Sequence, residues 1–211
     1  LFGRGGEEAD SLRAAGVAYE VVPGVTSPIS VPAYAGIPVT HREISPHLTI
    51  VTGHRASLEG TPEVDWGALA QLDGTLVILM GVRNRAKIAT RLIDGGRPPD
   101  TPVAVIQNGT LPSQKTIRTR LECLSKVTAE SPAIIVVGKV ADLDMDWFET
   151  RPLFGKRILV TRSLEQSGEF VRALENLGAE VLEAPTIEFA EPKDWSGVDS
   201  AIDEAESFQW I

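Results

Sequence analysis

Short apolar runs that alternate with helical segments constrain this 211-residue chain more than any other feature of its sequence. Most of the runs are continuously apolar, which is typical of strands buried on both faces of a sheet covered by helices. The pattern predicts an α/β fold with a largely parallel, buried sheet. We predict strands at Tyr19–Val22, Leu48–Thr52, Thr75–Met80, Val103–Gln107, Thr116–Arg120 and Ile134–Val137, with helices beginning at Glu7 and covering Asn84–Ile93.

The alternation is interrupted over residues 139–155, where aspartates, Pro152 and Gly155 break the pattern, and it then restarts. A strand, a helix and a second strand follow, which is the βαβ opening of another α/β domain. We therefore predict two domains, residues 1–150 and residues 151–211. The second is expected to contain the strand Ile158–Thr161, the helix Glu165–Leu177, the strand Glu180–Glu183, a helix over Trp195–Ser207 and the start of a strand at Gln209–Ile211.

The two ends of the chain are apolar. It begins with Leu1-Phe2 and stops within the β-type run Phe208–Ile211, without a polar tail. Because domains rarely end inside a core strand, we expect a fragment that lacks the front of its first domain and the back of its second.

The balance of 20 basic and 29 acidic residues gives a formal net charge of −9. This charge argues against sequence-independent binding to nucleic acid, which needs a cationic surface. Residues 81–126 nevertheless carry nine basic and three acidic residues. Such a stretch can attract an anionic small molecule, or it can be a solvated helix face with basic loops.

The cellular setting is indicated by composition. The single cysteine, Cys123, excludes an internal disulfide and fits a reducing compartment. The apolar runs are far shorter than a membrane helix, and no signal-peptide pattern opens the chain. We expect a cytoplasmic protein without a membrane partner.

Small and hydroxyl-bearing residues follow three of the predicted strands, at Val22–Ser27, Met80-Gly81 and Asn108–Thr110. In open α/β sheets, ligands bind beyond the carboxyl ends of strands. The three turns therefore indicate a ligand site, although Gly and Asn are also common in ordinary turns. The glycine-rich turn Gly3–Glu8 resembles no dinucleotide or Walker loop, and a flexible loop is its simpler interpretation.

The three histidines, His41, His47 and His54, match no zinc-ligand spacing, and Cys123 is far away in sequence. We predict no metal site. No nucleophile-elbow motif and no Ser/His/Asp set can be assigned either. From pattern alone the chain is a ligand-binding α/β protein.

Six different motifs occur one after another in the first 150 residues. They are Leu1–Glu8, Val21–Ser27, Ala33–Arg42, Val51–His54, Met80-Gly81 and Asn108–Thr110. In this order and approximate spacing they resemble the uroporphyrinogen-III C-methyltransferases of the tetrapyrrole methylase family. The resemblance implies transfer of methyl groups from S-adenosylmethionine (SAM) to uroporphyrinogen III, giving precorrin-2 on the route to sirohaem and cobalamin. It also implies a homodimer and a tetrapyrrole substrate whose carboxylates suit the basic stretch.

By this resemblance the SAM pocket lies between two subdomains and is lined by Leu1, Thr26, Ser27, Met80 and Gly109. Ser27 is followed by Pro28 where the family usually has an alanine-containing turn. The family's Gly-Asp-Pro segment, and the residues proposed for proton transfer, would precede Leu1. The catalytic residues are therefore unknown, and we expect the 211-residue chain alone to be inactive.

A second resemblance begins near residue 153. The segments Leu153–Arg162, Glu165–Ser167 and Gly178–Val181 are similar to the opening of uroporphyrinogen-III synthase, which implies a bifunctional fusion. Two alternatives stay open. Synthase activity, a lyase-type cyclisation of hydroxymethylbilane, could be the main function, or the chain could be a non-enzymatic ligand-binding module on a methylase scaffold.

Overall fold

A computed structural model describes residues 5–53, 64–187, 190–191, 193–207 and 209–210. These residues contain a five-stranded sheet with the strand order β1-β2-β5-β3-β4. All five of its strands were predicted, to within a residue at each end. The strands are β1 (Leu48–Thr52), β2 (Thr75–Leu79), β3 (Pro102–Gln107), β4 (Lys115–Arg120) and β5 (Ala133–Val137).

The prediction of a largely parallel sheet was wrong. Only β1 and β2 pair in parallel, whereas β5 is antiparallel to both β2 and β3, and β4 is antiparallel to β3. The short connection from Gln107 to Lys115 allows only an antiparallel pair. Continuous apolarity reports burial on both faces and not strand direction, so the inference from one to the other failed.

Helices cover both faces of the sheet. Against one face pack α3 (Trp66–Gln71) and α4 (Arg85–Asp94), in an apolar cluster that includes Leu92. Against the other face packs α2 (Ser27–Tyr34), in a cluster that includes Val31. Neighbouring residues of β2, β3 and β5 divide between the two clusters and most of them are fully buried, which explains why these runs are continuously apolar.

The first 22 described residues are far less buried. Helix α1 (Gly6–Ala14) is terminated by Gly16, two residues after its last residue. The φ of Gly16, +69°, suits the left-handed position after a helix, as predicted. The predicted strand Tyr19–Val22 was wrong, because residues 17–26 form neither a helix nor a strand. Val22 is 83% exposed and Val25 is 78% exposed. A strand needs a neighbour to pair its backbone, and no described strand lies beside this segment.

The predicted βαβ elements near the end of the chain are confirmed. Strands β6 (Arg157–Val160) and β7 (Glu180–Glu183) pair in parallel and are joined by helix α5 (Leu164–Asn176). A shorter helix, α6 (Ser196–Asp203), and a 3₁₀ turn at Ala205–Ser207 cover most of the predicted last helix. The predicted strand at Gln209–Ile211 is not formed at residues 209–210, and Ile211 lies outside the described residues.

Residues 143–154, here called the connecting segment, link the five-stranded sheet to β6. Trp147 and Phe148 of this segment pack on Tyr34 at the end of α2, with ring centroids 5.0 and 4.8 Å apart. Phe148 also contacts Phe154, at 5.3 Å between centroids. The segment is therefore anchored to α2 by aromatic packing. None of the helices in the described part of the chain is long and apolar enough to cross a membrane.

Candidate ligand site at the sheet edge

The carboxyl ends of β2 and β3 meet at one edge of the sheet. Both strands run antiparallel to β5, so they run in the same direction with the amino end of β5 between them. Ile134 of β5 pairs with Leu79 on one side and with Ile106 on the other. The two turns predicted to bind a ligand, Met80-Gly81 and Asn108–Thr110, are thus brought together even though the sheet is not parallel.

A cavity of about 560 Å³ lies at this edge. This volume is typical of small-molecule sites, which span ~300–1,000 Å³. Apolar side chains from α2 and three strands form much of its wall, with hydroxyl and amide groups beside them. The lining residues are Ser27, Val31, Leu79, Met80, Ile106, Asn108, Gly109, Leu111 and Ser131–Ile134.

Three of the five residues expected at the site, Ser27, Met80 and Gly109, line the cavity. Thr26 is the residue before α2 and is not among the lining residues; its carbonyl accepts a hydrogen bond from Ser30 Oγ at 3.3 Å. Leu1 lies outside the described residues. Pro28 stands in the first turn of α2, where its missing N–H is tolerated, so Ser27-Pro28 begins the helix without disruption.

Backbone strain is concentrated around the cavity. Among the described residues, Met80, Asn108 and Thr110 are the non-glycine residues with positive φ, at 54°, 50° and 72°. Asn tolerates this conformation, but Met and the β-branched Thr rarely adopt it. Strained residues of this kind cost about 1–3 kcal/mol each and cluster at ligand sites. Their position therefore supports a functional role for this edge.

Glycines let the walls of the site approach closely. A Cβ atom added to Gly109 would lie 2.4 Å from Val31 Cγ1, so only glycine allows the β3–β4 loop to pack on α2. A Cβ atom on Gly53 would lie 2.6 Å from Gly81 Cα, at the ends of β1 and β2. The positions of Gly81 and Gly109 after strands were part of the sequence signal for this edge.

Sequence reasoning missed the contribution of β5, and of Val31 in α2, to the cavity. Val31 and Ile134 resemble ordinary core residues in the sequence, and Ser131-Pro132 resembles a loop. These residues line the site because β5 inserts between β2 and β3, and no local pattern reports that insertion. Their role could not have been found from spacing.

Three arginines of the basic stretch support the fold. Arg97 is 7% exposed and donates hydrogen bonds to the carbonyl oxygens of Leu69, Leu72 and Gly74. Burial lowers the pKa of its guanidinium, and Asp73 partly offsets this effect. The backbone partners of Arg97 indicate that it ties the segment between α4 and β3 to the end of α3 and the loop that follows α3.

The other two structural arginines lie on β4. Arg118 donates to the carbonyls of Ala35 and Leu143 and contacts Asp144 at 3.4 Å. Arg120 donates to both carboxylate oxygens of Asp142, at 2.9 and 2.7 Å, and these hydrogen bonds raise its pKa.

Two other cations of the basic stretch are exposed near the carboxyl ends of β2 and β3. Arg83 follows the end of β2, and Lys115 begins β4 opposite Gln107, at the end of β3. They are therefore the cations best placed to meet an anionic ligand.

The two described histidines, His41 and His47, do not line the cavity. His41 forms an isolated bridge with Ser45, and the carbonyl of His47 accepts a hydrogen bond from Ser45 Oγ. His54 lies outside the described residues. Within the described ranges, no group of three or more His, Cys, Asp or Glu side chains could hold a metal ion.

Comparisons with known proteins point in one direction. A family model described as tetrapyrrole (corrin/porphyrin) methylases matches residues 1–125. The chain is 43% identical over 190 residues to a uroporphyrinogen-III C-methyltransferase from Bacillus subtilis (strain 168), covering 88% of this chain and 39% of that relative. It is 41% identical over 217 residues to the porphyrin biosynthesis protein HemD of Ruminiclostridium josui, covering 100% of this chain and 43% of that relative.

A solved structure is also similar. The uroporphyrin-III C-methyl transferase from Thermus thermophilus, complexed with S-adenyl homocysteine, shares 38% sequence identity with a TM-score of 0.57, covering 66% of this chain and 61% of that chain. The chain spans about two fifths of the length of the two curated relatives.

Proposed function

Because the chain belongs to the tetrapyrrole methylase family, we propose that the full-length gene product transfers methyl groups from SAM to carbon atoms of uroporphyrinogen III, giving precorrin-2. The observation that carries this proposal is the cavity where the carboxyl ends of β2 and β3 meet. It combines apolar walls, strained loops and close glycine contacts in one place. The similarity to the Bacillus subtilis and Thermus thermophilus enzymes supports the choice of reaction and methyl donor.

We assign the methyl donor to this cavity. Its size and apolar walls suit the adenosine part of SAM, and Ser27 and Asn108 offer polar groups at the rim. Ser27, Met80 and Gly109 would contact the donor, with Thr26 beside them. The bound sulfonium supplies an already activated methyl group, so the chain has to hold the donor in line with the substrate and exclude water.

The anionic substrate is assigned to the exposed side of the same edge. Arg83 and Lys115 lie there, and cationic side chains pair well with the carboxylates of a tetrapyrrole. Arg97, Arg118 and Arg120 are excluded from this role by their structural partners. We name no catalytic base from the described residues.

A cavity-filling substitution tests the donor site. Leu111 lines the cavity and is 51% exposed, so Leu111→Trp adds bulk without disturbing the core. We expect it to weaken S-adenosylhomocysteine binding to the full-length protein by at least about tenfold, measured by calorimetry. Leu72 is the matched control, because it is 46% exposed and lines a cavity at the opposite edge. Leu72→Trp should bind normally, and equal binding by all three proteins would contradict the assignment.

We further propose that residues 1–150 and 151–211 belong to two domains and that the second begins a uroporphyrinogen-III synthase. The match to the Ruminiclostridium josui protein, which extends over the whole chain, supports this extension. Leu159 and Leu182 pair side by side on β6 and β7 and are 60% and 43% exposed, as expected of a sheet face that further chain would cover.

Enzyme assays on the full-length protein separate the possible activities. Methyl transfer together with cyclisation of hydroxymethylbilane supports a bifunctional protein. Cyclisation without methyl transfer would favour the synthase alternative. Donor binding without either reaction would favour a binding module.

We also propose a homodimer of the full-length protein. The exposed apolar side chains of Val22, Val25 and Ile29 support it, because such a row is rarely left in water. Light scattering after size exclusion measures the mass directly, and a monomer at micromolar concentration would contradict the proposal.

A further inference from the structure

Gln114 is a buried side chain that joins three parts of the molecule. It is 4% exposed and follows the loop after β3. Its Oε1 accepts a hydrogen bond from the backbone N–H of Thr110 at 2.8 Å. Its Nε2 donates to the carbonyl of Tyr34 at 3.2 Å and to Glu149 Oε1 at 2.9 Å. The amide therefore links the cavity loop, helix α2 and the connecting segment.

The orientation of this amide is fixed by its partners. The N–H of Thr110 can only donate and the carbonyl of Tyr34 can only accept, so the oxygen of Gln114 must face the loop. Glu149 Oε1 also accepts from Thr116 Oγ1 at 2.5 Å. Every polar atom of the buried amide has a partner, and each partner lies in a different element of the fold.

The connecting segment holds Glu149 in place. Trp147 Nε1 donates to the carbonyl of Ala33 at 3.0 Å, and the guanidinium of Arg151 lies 4.8 Å from the centre of the Trp147 ring. The backbone N–H of Glu149 donates to Asp146 Oδ1 at 3.2 Å. Glu149 thus reaches the Gln114 amide from a segment that is anchored by Trp147 and Phe148.

We propose that Gln114 is a positioning residue for the methyl-donor cavity and that Glu149 of the connecting segment orients it. Gln114 holds Thr110 in its left-handed conformation, and the same loop carries Asn108 and Gly109 into the cavity wall. The affinity for the donor then depends on a segment whose residues do not line the cavity. This inference rests on the proposed function, because it concerns the same site.

Substitutions that exchange the hydrogen-bonding groups of Gln114 and Glu149 test the proposal in the full-length protein. Gln114→Glu replaces the donating NH₂ with an acceptor that faces Tyr34 O and Glu149, so we expect about tenfold weaker binding of S-adenosylhomocysteine. Glu149→Gln keeps an acceptor for the amide and should change binding less than about threefold. In the double variant, the amide introduced at position 149 can donate to the carboxylate introduced at position 114, and binding should recover most of the loss.

Gln71→Glu is the matched control, because Gln71 is an exposed glutamine that donates to the carbonyl of Gly95 at the opposite edge. It should bind S-adenosylhomocysteine like the wild type. In methyl-transfer kinetics, Gln114→Glu should raise the KM for SAM several-fold while kcat at saturating SAM changes little. A loss of folded protein alone would lower the apparent kcat and leave KM unchanged.

Glu149→Ala provides an independent variant, because the Glu149 side chain is only partly buried. We expect it to fold and to bind S-adenosylhomocysteine about three- to tenfold more weakly. If wild type binds and folded Glu149→Ala binds equally well, or if the double variant is no better than Gln114→Glu, the positioning role is overturned while the donor site stands. If wild type does not bind S-adenosylhomocysteine, the proposed function and this inference both fail.

Discussion

Gly109→Ala probes the closest contact in the cavity wall. The added Cβ atom would lie 2.4 and 2.6 Å from the two γ carbons of Val31 and 2.9 Å from its Cβ. Ordinary contact begins at 3.4 Å, so the β3–β4 loop and α2 would have to separate by about 1 Å. Val31 is 8% exposed and packs in the core under α2, so it cannot simply turn away.

The expected destabilisation is that of an overpacked core, about 1–3 kcal/mol. Val31→Ala removes both γ carbons and leaves a space, which costs about 2 kcal/mol by itself. In the double variant, the two shortest contacts disappear and the 2.9 Å contact with the Cβ of residue 31 remains. The double variant should therefore be about 1–2 kcal/mol more stable than the sum of the single changes predicts.

Urea unfolding followed by circular dichroism measures these free energies, and calorimetry with S-adenosylhomocysteine measures the site. Gly109→Ala should weaken S-adenosylhomocysteine binding about tenfold, and the double variant with Val31→Ala should recover part of that affinity. Gly24→Ala is the control, since among the described residues no atom beyond its chain neighbours lies within 4 Å of its added Cβ; we expect a change within about 0.5 kcal/mol. Additive free energies, or unchanged binding by Gly109→Ala, would refute the close-packing argument.

Two further predictions concern the basic stretch. Arg97→Met should lower the free energy of unfolding by about 3 kcal/mol in the same urea titration, because it leaves three carbonyls without their donor. Arg83 is exposed, so Arg83→Met is the control and should change the free energy of unfolding by less than about 0.5 kcal/mol. Arg83→Gln combined with Lys115→Gln should raise the KM for uroporphyrinogen III several-fold in methyl-transfer assays and leave S-adenosylhomocysteine affinity unchanged; equal effects on both would place these cations outside the substrate site.

The sequence was sufficient to locate the central strands β2, β3 and β5, because residues buried on both faces of a sheet must be apolar. Val77 and Ile78, for example, are fully buried on opposite faces. It was not sufficient for strand direction, because the pairing of β5 with β2 and β3 joins segments far apart in the chain. The predicted strand Tyr19–Val22 failed for a related reason: its residues favour strands, but no described strand pairs with them.

The candidate site could be predicted only at positions where the backbone geometry requires glycine. Gly81 and Gly109 stand at turns that follow apolar runs, and turns of this kind were expected to meet a ligand. The sequence did not single out Gln114 or Glu149, since a buried glutamine cannot be told from a surface glutamine in a sequence. The basic stretch could be recognised in the sequence. The sequence could not, however, distinguish Arg97, which supports the fold, from the exposed cations near the carboxyl ends of β2 and β3.

The position of β5 has a consequence for folding during synthesis. It is the last of the five strands to leave the ribosome, yet it occupies the centre of their sheet. Until residue 137 is available, β2 and β3 each present an unpaired apolar edge, which is an aggregation hazard. The cavity cannot form before that point, because its middle wall is the start of β5. Nascent chains of this protein therefore acquire the sheet and the ligand site together, in one late step.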